Sequence, residues 1–264
     1  MNSHNKKNYE EGLKRKEAAY QEWLANGKKN RANIAKKHNT DPTKFSKYIL
    51  EKGHSFDRAD YHIFDKIDTQ EKAYWLGFMY ADGYIATNRN TISLELSKKD
   101  FNHLKKFKSF LKSDIDVKVD SFRARYILGN THLHDMLIKH GCTPKKSFTI
   151  EFPTWLKEKL IPHFIRGYFD GDGMITRSIK DGIWDKASIC SGSKKFLESL
   201  INTLIDYGIK VSRCYRVSNS KTYFILIQSN NFVEFMQFIY KDATIYLDRK
   251  YNRFLNSTAV LLRD

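Results

Sequence analysis

Two spacings of apolar residues alternate along the chain from residue 68 to residue 255. Apolar residues that recur every three or four positions predict an amphipathic helix, and apolar residues at every second position predict a strand with one buried face. Ile92, Leu94 and Leu96, separated by polar residues, mark the clearest strand. The order helix, strand, strand, helix, strand, strand, helix occurs twice, which predicts an α+β fold of two pseudo-symmetric αββαββα halves.

Each half is expected to fold into one antiparallel four-stranded sheet that packs its apolar face on helices. The halves are assigned to residues 68–150 and 151–264, with a linker at 57–67. After the first helix, the first half has predicted strands at 92–96, 115–119 and 123–128 and predicted helices at 100–111 and 132–140. The second half has predicted strands at 174–179, 186–190, 209–217 and 221–228 and predicted helices at 193–207 and 231–240.

Residues 1–56 show only helical spacing, which predicts a small all-α module. Between two of its apolar stripes, Asp41 is a good helix cap and Pro42 suits the first position of the next helix. The module resembles helix-turn-helix proteins, and the resemblance implies that the second helix enters the major groove of DNA. A helical extension that only packs on the rest of the protein is the alternative. The residues expected to face DNA are Thr43, Lys44 and Lys47.

A nine-residue helical pattern occurs twice, as Trp75–Gly83 (WLGFMYADG) and Ile165–Gly173 (IRGYFDGDG). Small residues four positions apart give each helix a bare face, so two such helices can pack with their backbones close together. Each copy places an aspartate, Asp82 or Asp172, at the negative end of a helix dipole, where a carboxylate is disfavoured. A parallel pair of these helices would bring the two carboxylates together, and a cation between them would relieve their repulsion. The small residues are Gly77 and Ala81 in the first copy and Gly167 and Gly171 in the second.

The ends of the repeated helices carry further signals. Asp68 and Glu71 have the spacing of a capping box at the start of the first helix. Gly83 and Gly173 follow the last turn and are expected in the left-handed conformation that often ends a helix.

Composition narrows the classes of partner. The 264-residue chain has 46 Lys and Arg against 30 Asp and Glu, a net charge of +16, which indicates a polyanionic partner such as nucleic acid. No signal peptide and no apolar run of bilayer length is present, so a cytoplasmic or organellar-matrix protein with no membrane partner is expected, not a secreted one. The three cysteines form no CxxC pair, which argues against a zinc knuckle.

Both nine-residue copies resemble the LAGLIDADG motif of homing endonucleases, with Asp82 and Asp172 at its penultimate acidic position. The resemblance implies saddle-shaped sheets and a monomer that binds a long double-stranded DNA site. It also implies that the two aspartates lie over the minor groove, bind Mg²⁺ (with Mn²⁺ as a substitute) and each help to cut one strand, leaving 3′ overhangs. The backbone carbonyls of Ala81 and Gly171 are further expected metal ligands. The earlier Asp of the motif is kept as Asp170 but is Tyr80 in the first copy.

Two lysines resemble the family's basic residues that follow the last helix of each half. They are Lys146 in GCTPKKS and Lys250 in LDRKY. The resemblance implies that they approach the scissile phosphates and either polarise water or stabilise the developing charge. Their neighbours Lys145 and Arg249 stay open as alternatives.

Basic residues on the predicted strands form a candidate DNA-binding surface. Each of them taken alone is more simply a solvated surface charge, but their shared positive sign favours phosphate contacts. They are Arg123, Arg125, Arg177, Lys186, Arg213, Arg216 and Lys221.

Two other functions remain open at this stage. A maturase of the same fold would bind intron RNA and assist splicing, whereas a transcriptional regulator would bind DNA without chemistry. The retention of both aspartates favours the nuclease, because an acid pair at two helix ends has no use in a protein that does no chemistry.

Overall fold

The computed structural model describes residues 3–28, 30–53, 58–178, 184–216 and 220–257. The chain separates into two compact units, Met1–Asp57 and Arg58–Asp264. Among the described residues, no helix has both the length and the apolar character needed to cross a bilayer.

The first unit is all-helical and has a hydrophobic core of its own. It contains α1 (Ser3–Ala25), α2 (Arg31–Lys37) and α3 (Pro42–Glu51). The side chain of Asp41 accepts hydrogen bonds from the backbone N–H groups of Thr43 and Lys44, at 3.0 and 2.9 Å, so Asp41 caps α3 as predicted. The buried residues of this core are Ala19, Tyr20, Trp23, Ile34, Ala35, Phe45, Tyr48 and Ile49.

The second unit repeats one order of elements twice, which confirms the predicted α+β fold. The first half consists of α4 (Gln70–Ala81), β1 (Gly83–Ile85), β2 (Thr91–Ser97), α5 (Phe101–Phe110), β3 (Lys118–Val119), β4 (Arg123–Gly129) and α6 (Thr131–Lys139). The second half consists of α7 (Ile161–Asp172), β5 (Gly173–Ser178), β6 (Trp184–Ser191), α8 (Lys194–Asp206), β7 (Tyr215–Arg216), β8 (Tyr223–Gln228), α9 (Asn230–Tyr240) and α10 (Asp248–Leu255).

Each half forms one antiparallel four-stranded sheet, in the order β1-β2-β4-β3 and β5-β6-β8-β7. We call these the first sheet and the second sheet. In both, every second residue is buried against helices, such as Leu94 and Tyr126 in the first sheet and Ile189 and Ile225 in the second. The opposite side, which we call the outer face, carries the alternate residues of each strand.

Two predicted strands are much shorter than expected. The segment 115–119 pairs only at Lys118–Val119, because the preceding backbone is engaged elsewhere: Asp114 N–H donates to the Arg58 carbonyl at 3.0 Å. The segment 209–217 forms a strand only at Tyr215–Arg216. Residue 217 lies outside the described residues, and so does residue 179, the last residue of the strand predicted at 174–179. At Ser212 one backbone bond remains, from its N–H to the Leu226 carbonyl at 2.9 Å, but the Leu226 N–H donates to the Ser212 hydroxyl at 2.8 Å instead of to its carbonyl.

The signals at the ends of the motif helices were misread. Thr69, not Asp68, caps α4, and Asp68 instead pairs with Lys72 at 2.8 Å. Neither Gly83 nor Gly173 is left-handed; Gly173 is extended, with φ −91° and ψ 161°. Both glycines are needed for space, because a Cβ at Gly83 would lie 2.5 Å from the Met79 carbonyl oxygen and one at Gly173 would lie 2.1 Å from the Phe169 ring. Helix α10 was not predicted.

Candidate active site between the two motif helices

Helices α4 and α7 pack with their backbones in direct contact. A Cβ at Gly77 would lie 2.0 Å from the carbonyl oxygen of Phe164, and a Cβ at Gly167 would lie 1.9 Å from that of Tyr74. Such distances leave no room for any side chain, so the seam exists only because both positions are glycine. The small-residue seam predicted from the repeat is therefore confirmed, and its two contacts mirror one another.

The seam brings Asp82 and Asp172 to the same end of the two helices. Asp82 follows the last residue of α4 and Asp172 is the last residue of α7. A Cβ at Gly171 would lie 2.3 Å from the Ala81 Cβ and 3.3 Å from an Asp82 carboxylate oxygen. Asp82 is exposed and Asp172 is half-buried, so the pair of carboxylates can be reached from solvent.

The pKa values of both carboxyl groups are raised. Part of Asp82 is open to solvent, but protein atoms surround the rest, and this loss of hydration, followed by the charge of Asp172, raises its pKa to about 6. Burial also raises the pKa of Asp172, against the opposing effect of Lys146 and Lys250. Two crowded carboxylates with raised pKa values fit a site that takes up a divalent cation, since the cation favours their charged forms.

A buried lysine lies beside each aspartate. Lys146 Nζ donates to the Ala81 carbonyl at 2.9 Å. Lys250 Nζ donates to the carbonyls of Phe169 at 2.6 Å and Gly171 at 3.1 Å, and also to that of Gly173. Each lysine therefore contacts the carbonyl of the residue immediately before its motif aspartate. Burial lowers the pKa of Lys146, and burial lowers the pKa of Lys250 to about 8.

The lysines flanking the motif helices can now be told apart from their neighbours. Lys145 is exposed and has a positive φ of 56°, which turns the chain so that Lys146 points inward. Arg249 Nε instead donates to both carboxylate oxygens of the nearly buried Asp100, each at 3.0 Å. Lys146 and Lys250 are thus the cations in contact with the motif helices.

The carbonyls of Ala81 and Gly171, expected as metal ligands, already accept hydrogen bonds from these lysines. A cation bound to the same oxygen would lie next to an ammonium group, and like charges at that range repel. The carboxylates of Asp82 and Asp172 are accordingly the principal ligands that this geometry offers.

The extra acid of the second motif has a structural role that the sequence did not indicate. Asp170 is fully buried and accepts hydrogen bonds from Tyr74 Oη at 2.8 Å, Tyr240 Oη at 2.6 Å and the Leu247 N–H at 2.7 Å. His103 Nε2 lies 2.8 Å from Tyr74 Oη, so the network joins both halves beneath the seam. In the first motif, Tyr80 takes the place of Asp170. None of the network's partners is near Asp170 in sequence, so no local signal could have identified them.

The predicted basic surface is only partly on the outer faces of the sheets. Lys186, Arg123 and Arg125 lie there, but both arginines are ion-paired with Glu95. By strand register, Arg177 and Arg216 occupy the positions that alternate with the outer-face residues, although both are exposed and Arg177, near the end of β5, also borders the outer face. Arg177 donates to Asp185 at 3.3 Å and to the Asn256 carbonyl at 3.0 Å, and Arg216 lies 5.9 Å from the Tyr223 ring centroid. Arg213 and Lys221 are exposed but lie outside the strands.

In the first unit, the three residues expected to face DNA share one property. All are exposed on α3, while Phe45 and Ile49 of the same helix are buried in its core. The three are Thr43, Lys44 and Lys47.

Comparison with known proteins identifies the architecture. The model of the LAGLIDADG-like domain matches residues 160–240, a range that contains the second motif but not the first. The chain is similar in structure to the LAGLIDADG meganuclease I-AabMI bound to uncleaved DNA, with 14% identity, a TM-score of 0.50 and coverage of 72% of this chain and 90% of that one.

A comparison with curated protein sequences finds no match. Two further solved structures are similar to this chain. Meganuclease I-SmaMI bound to uncleaveable DNA has 14% identity and a TM-score of 0.49, covering 70% of this chain and 88% of that one. The LAGLIDADG homing endonuclease I-GzeII in complex with its DNA target has 11% identity and a TM-score of 0.48, covering 72% and 94%. Identities this low bear on the fold alone. Residues 160–240 therefore match the LAGLIDADG-like domain, and the two-half unit that contains them has the LAGLIDADG fold.

Proposed function

We propose that this protein is a divalent-metal-dependent endonuclease that cuts both strands of a long, specific double-stranded DNA site. The observation that carries the proposal is the pair Asp82 and Asp172 at the adjoining ends of two backbone-packed helices, with a buried lysine beside each. The net charge of +16 and the fold shared with DNA-bound I-AabMI support duplex DNA as the substrate.

The metal ion, Mg²⁺ or Mn²⁺ in its place, would supply Lewis-acid activation of water and neutralise charge on the phosphate. Asp82 and Asp172 would hold it through carboxylate oxygens, the ligands that such hard cations prefer. Their raised pKa values mean that an empty site resists full ionisation, so cation binding and loss of a proton from Asp82 go together.

Lys146 and Lys250 would act on the phosphate side of the site. Both are held in place by backbone carbonyls of the motif helices, which orients each ammonium group without a carboxylate partner. A positive charge fixed beside the carboxylates can stabilise the negative charge that develops on the phosphate as the bond breaks. With one aspartate and one lysine in each half, each half would cut one strand across the minor groove and leave 3′ overhangs.

The first unit would extend the DNA contact. Its α3 exposes Lys44 and Lys47 on the side opposite its core, which is the arrangement expected of a helix that lies in the major groove.

A cleavage assay on a randomised duplex library tests the proposal. Purified protein is incubated with Mg²⁺ or with EDTA, and the cut ends are sequenced. We expect discrete Mg²⁺-dependent cuts with 3′ overhangs at one long motif. Absence of cutting, together with tight binding to duplex DNA or to folded intron RNA, would replace the nuclease by a regulator or by a maturase.

Matched variants assign the chemistry to the site. Asp82→Asn and Asp172→Asn should each abolish double-strand cleavage and leave duplex binding in EDTA largely intact. Asp206→Asn is the control, because Asp206 also ends a helix, α8, and is exposed on the same unit, but is not part of the seam. Wild-type cleavage by Asp82→Asn would overturn the metal-site assignment.

A further inference from the structure

The outer faces of the two sheets differ in chemistry. On the first sheet, Glu95, Arg125 and Lys118 lie opposite one another on neighbouring strands and form a charged row across the sheet. Arg123 adds an ion pair with Glu95. Its apolar outer residues are Tyr84 and Ile127, which flank Ser93 in a single row.

The second sheet has an apolar outer face instead. Pairing aligns Met174 with Ser188 and Ser188 with Leu226, and in the next row it aligns Phe224 with Tyr215. The rings of Tyr215 and Phe224 are stacked, with centroids 6.0 Å apart. These residues line a shallow groove of about 380 Å³ that lies open on the sheet.

Polar residues border this groove at one end. Thr176, Lys186 and Gln228 form the row beside Met174 and Leu226, all on the outer face. Lys186 is the cation of this row, and a cation at the border of the groove can contact a phosphate of the nucleic acid backbone. The apolar groove is therefore continuous with the surface proposed to contact DNA.

We propose that the second half recognises thymine methyl groups in the major groove, so that its half-site is rich in A·T pairs, whereas the first half reads G·C pairs through its charged row. The proposal rests on the proposed function. The C5 methyl of thymine is the apolar group that a base pair presents in the major groove, and it is matched by apolar side chains. Arginine pairs with guanine and a glutamate accepts from cytosine, which matches Arg125 and Glu95.

Replacing thymine by deoxyuridine tests this, because the exchange removes only the methyl group. The target is first selected from a duplex library, and the half-site of the second sheet is identified as the one whose base preference changes in Lys186→Ala. Affinity should then fall about fourfold for each contacted thymine that is replaced in this half-site, the value for one buried methyl group.

Protein variants assign the effect to the groove. The Met174→Ala and Leu226→Ala variants should bind the thymine and the deoxyuridine sites with nearly equal affinity. The control, Arg125→Ala, should keep the wild-type difference in affinity between these two sites. Equal binding of the two sites by the wild type, or a G·C-rich half-site for the second sheet, would overturn the inference while the nuclease proposal stands. If the protein bound no duplex DNA at all, both proposals would fail.

A different observation indicates a second metal site. His62, Asp65 and His132 place one ligand atom each within 4.8 Å of one another, and none of the three belongs to a motif helix. Both imidazoles bind one carboxylate: His62 Nδ1 lies 3.0 Å and His132 Nε2 lies 2.5 Å from the two oxygens of Asp65. The two rings are 4.2 Å apart between centroids.

We infer that these three residues bind a transition-metal ion such as Zn²⁺, which would fasten the segment before α4 to the start of α6. Two imidazoles and one carboxylate are a common zinc ligand set, and the exposed site leaves a position for water. Zinc bonds of about 2.0–2.2 Å fit between ligand atoms spaced in this way after a small adjustment.

Cobalt substitution tests the second site independently of DNA. Co²⁺ is titrated into the Asp82→Asn, Asp172→Asn protein, which lacks the motif carboxylates, and the visible absorption of bound cobalt is recorded. We expect one equivalent to bind, Zn²⁺ to displace it, and His132→Ala to remove the signal. His38→Ala is the control, because His38 contacts the single acid Glu22. No cobalt spectrum, or an unchanged one in His132→Ala, would overturn this inference.

Discussion

The seam between α4 and α7 makes the substitution Gly167→Ala a stringent test of the fold. The new Cβ would lie 1.9 Å from the Tyr74 carbonyl oxygen, 2.8 Å from its carbon and 2.9 Å from the Phe78 nitrogen. All three atoms belong to the backbone of a buried helix, so no side chain can rotate away. The helices would have to separate by roughly 1.5 Å to restore an ordinary carbon–oxygen contact.

The expected loss follows from this separation. Overpacking a tight core typically costs about 1–3 kcal/mol, and a separation larger than about 1 Å also removes about half or more of the dispersion energy of the contacts across the seam. This loss is offset by about 1 kcal/mol of stability, because alanine favours the helical conformation more than glycine does. Because the clash is with backbone atoms, the upper end of that range applies, and we expect a net decrease of about 2 kcal/mol or more in the free energy of unfolding of the second unit. Cleavage should be lost because Asp82 and Asp172 move apart.

Guanidinium chloride denaturation followed by circular dichroism measures this difference. Gly129→Ala is the matched control in the same unit, since the nearest atom to its Cβ would be 3.7 Å away, an ordinary contact. The control should change the free energy of unfolding by less than about 1 kcal/mol. If Gly167→Ala lost no more than Gly129→Ala, the backbone-to-backbone seam, and with it the position of the two aspartates, would be refuted.

Further predictions concern charge. Asp82→Asn should raise the thermal stability of the metal-free protein at pH 7. Because the pKa of Asp82 is raised to about 6, the wild type loses stability as the pH rises from about 4 to about 6, whereas the amide of the variant does not titrate. In thermal melts the stability gain of the variant should therefore vanish at pH 4. The value of kcat/KM for cleavage should rise through about pH 6, as Asp82 ionises, and fall above about pH 8, as Lys250 loses its proton. If a Lys250→Arg variant showed the same fall in kcat/KM above about pH 8, the assignment of that fall to Lys250 would be contradicted. Lys44→Ala with Lys47→Ala should weaken DNA binding and lower the slope of log Kd against log salt by about 2, and an unchanged slope would reduce α3 to a structural helix.

Local signals in the sequence were enough to predict most helices and strands and the repetition of their order. Alternating Ile92, Leu94 and Leu96 became β2, and Asp41 with Pro42 opened α3, because periodicity and capping depend on neighbours a few residues away. The same local reasoning failed where the backbone bonds to something distant, as at Leu226, whose N–H donates to the Ser212 hydroxyl instead of to a backbone carbonyl.

The sequence by itself determined the class of fold, the small-residue seam and the two aspartates at its end, because the motif is repeated and its spacing is short-range. Only the tertiary structure decided that Lys146 and Lys250, and not Lys145 and Arg249, contact the motif helices, since the residues they contact are more than 60 positions away along the chain. It also decided that Arg177 is bonded to Asp185 and that Asp170 is held in a network reaching His103. Strand register and burial set these outcomes, and both are settled by packing between residues far apart in the chain.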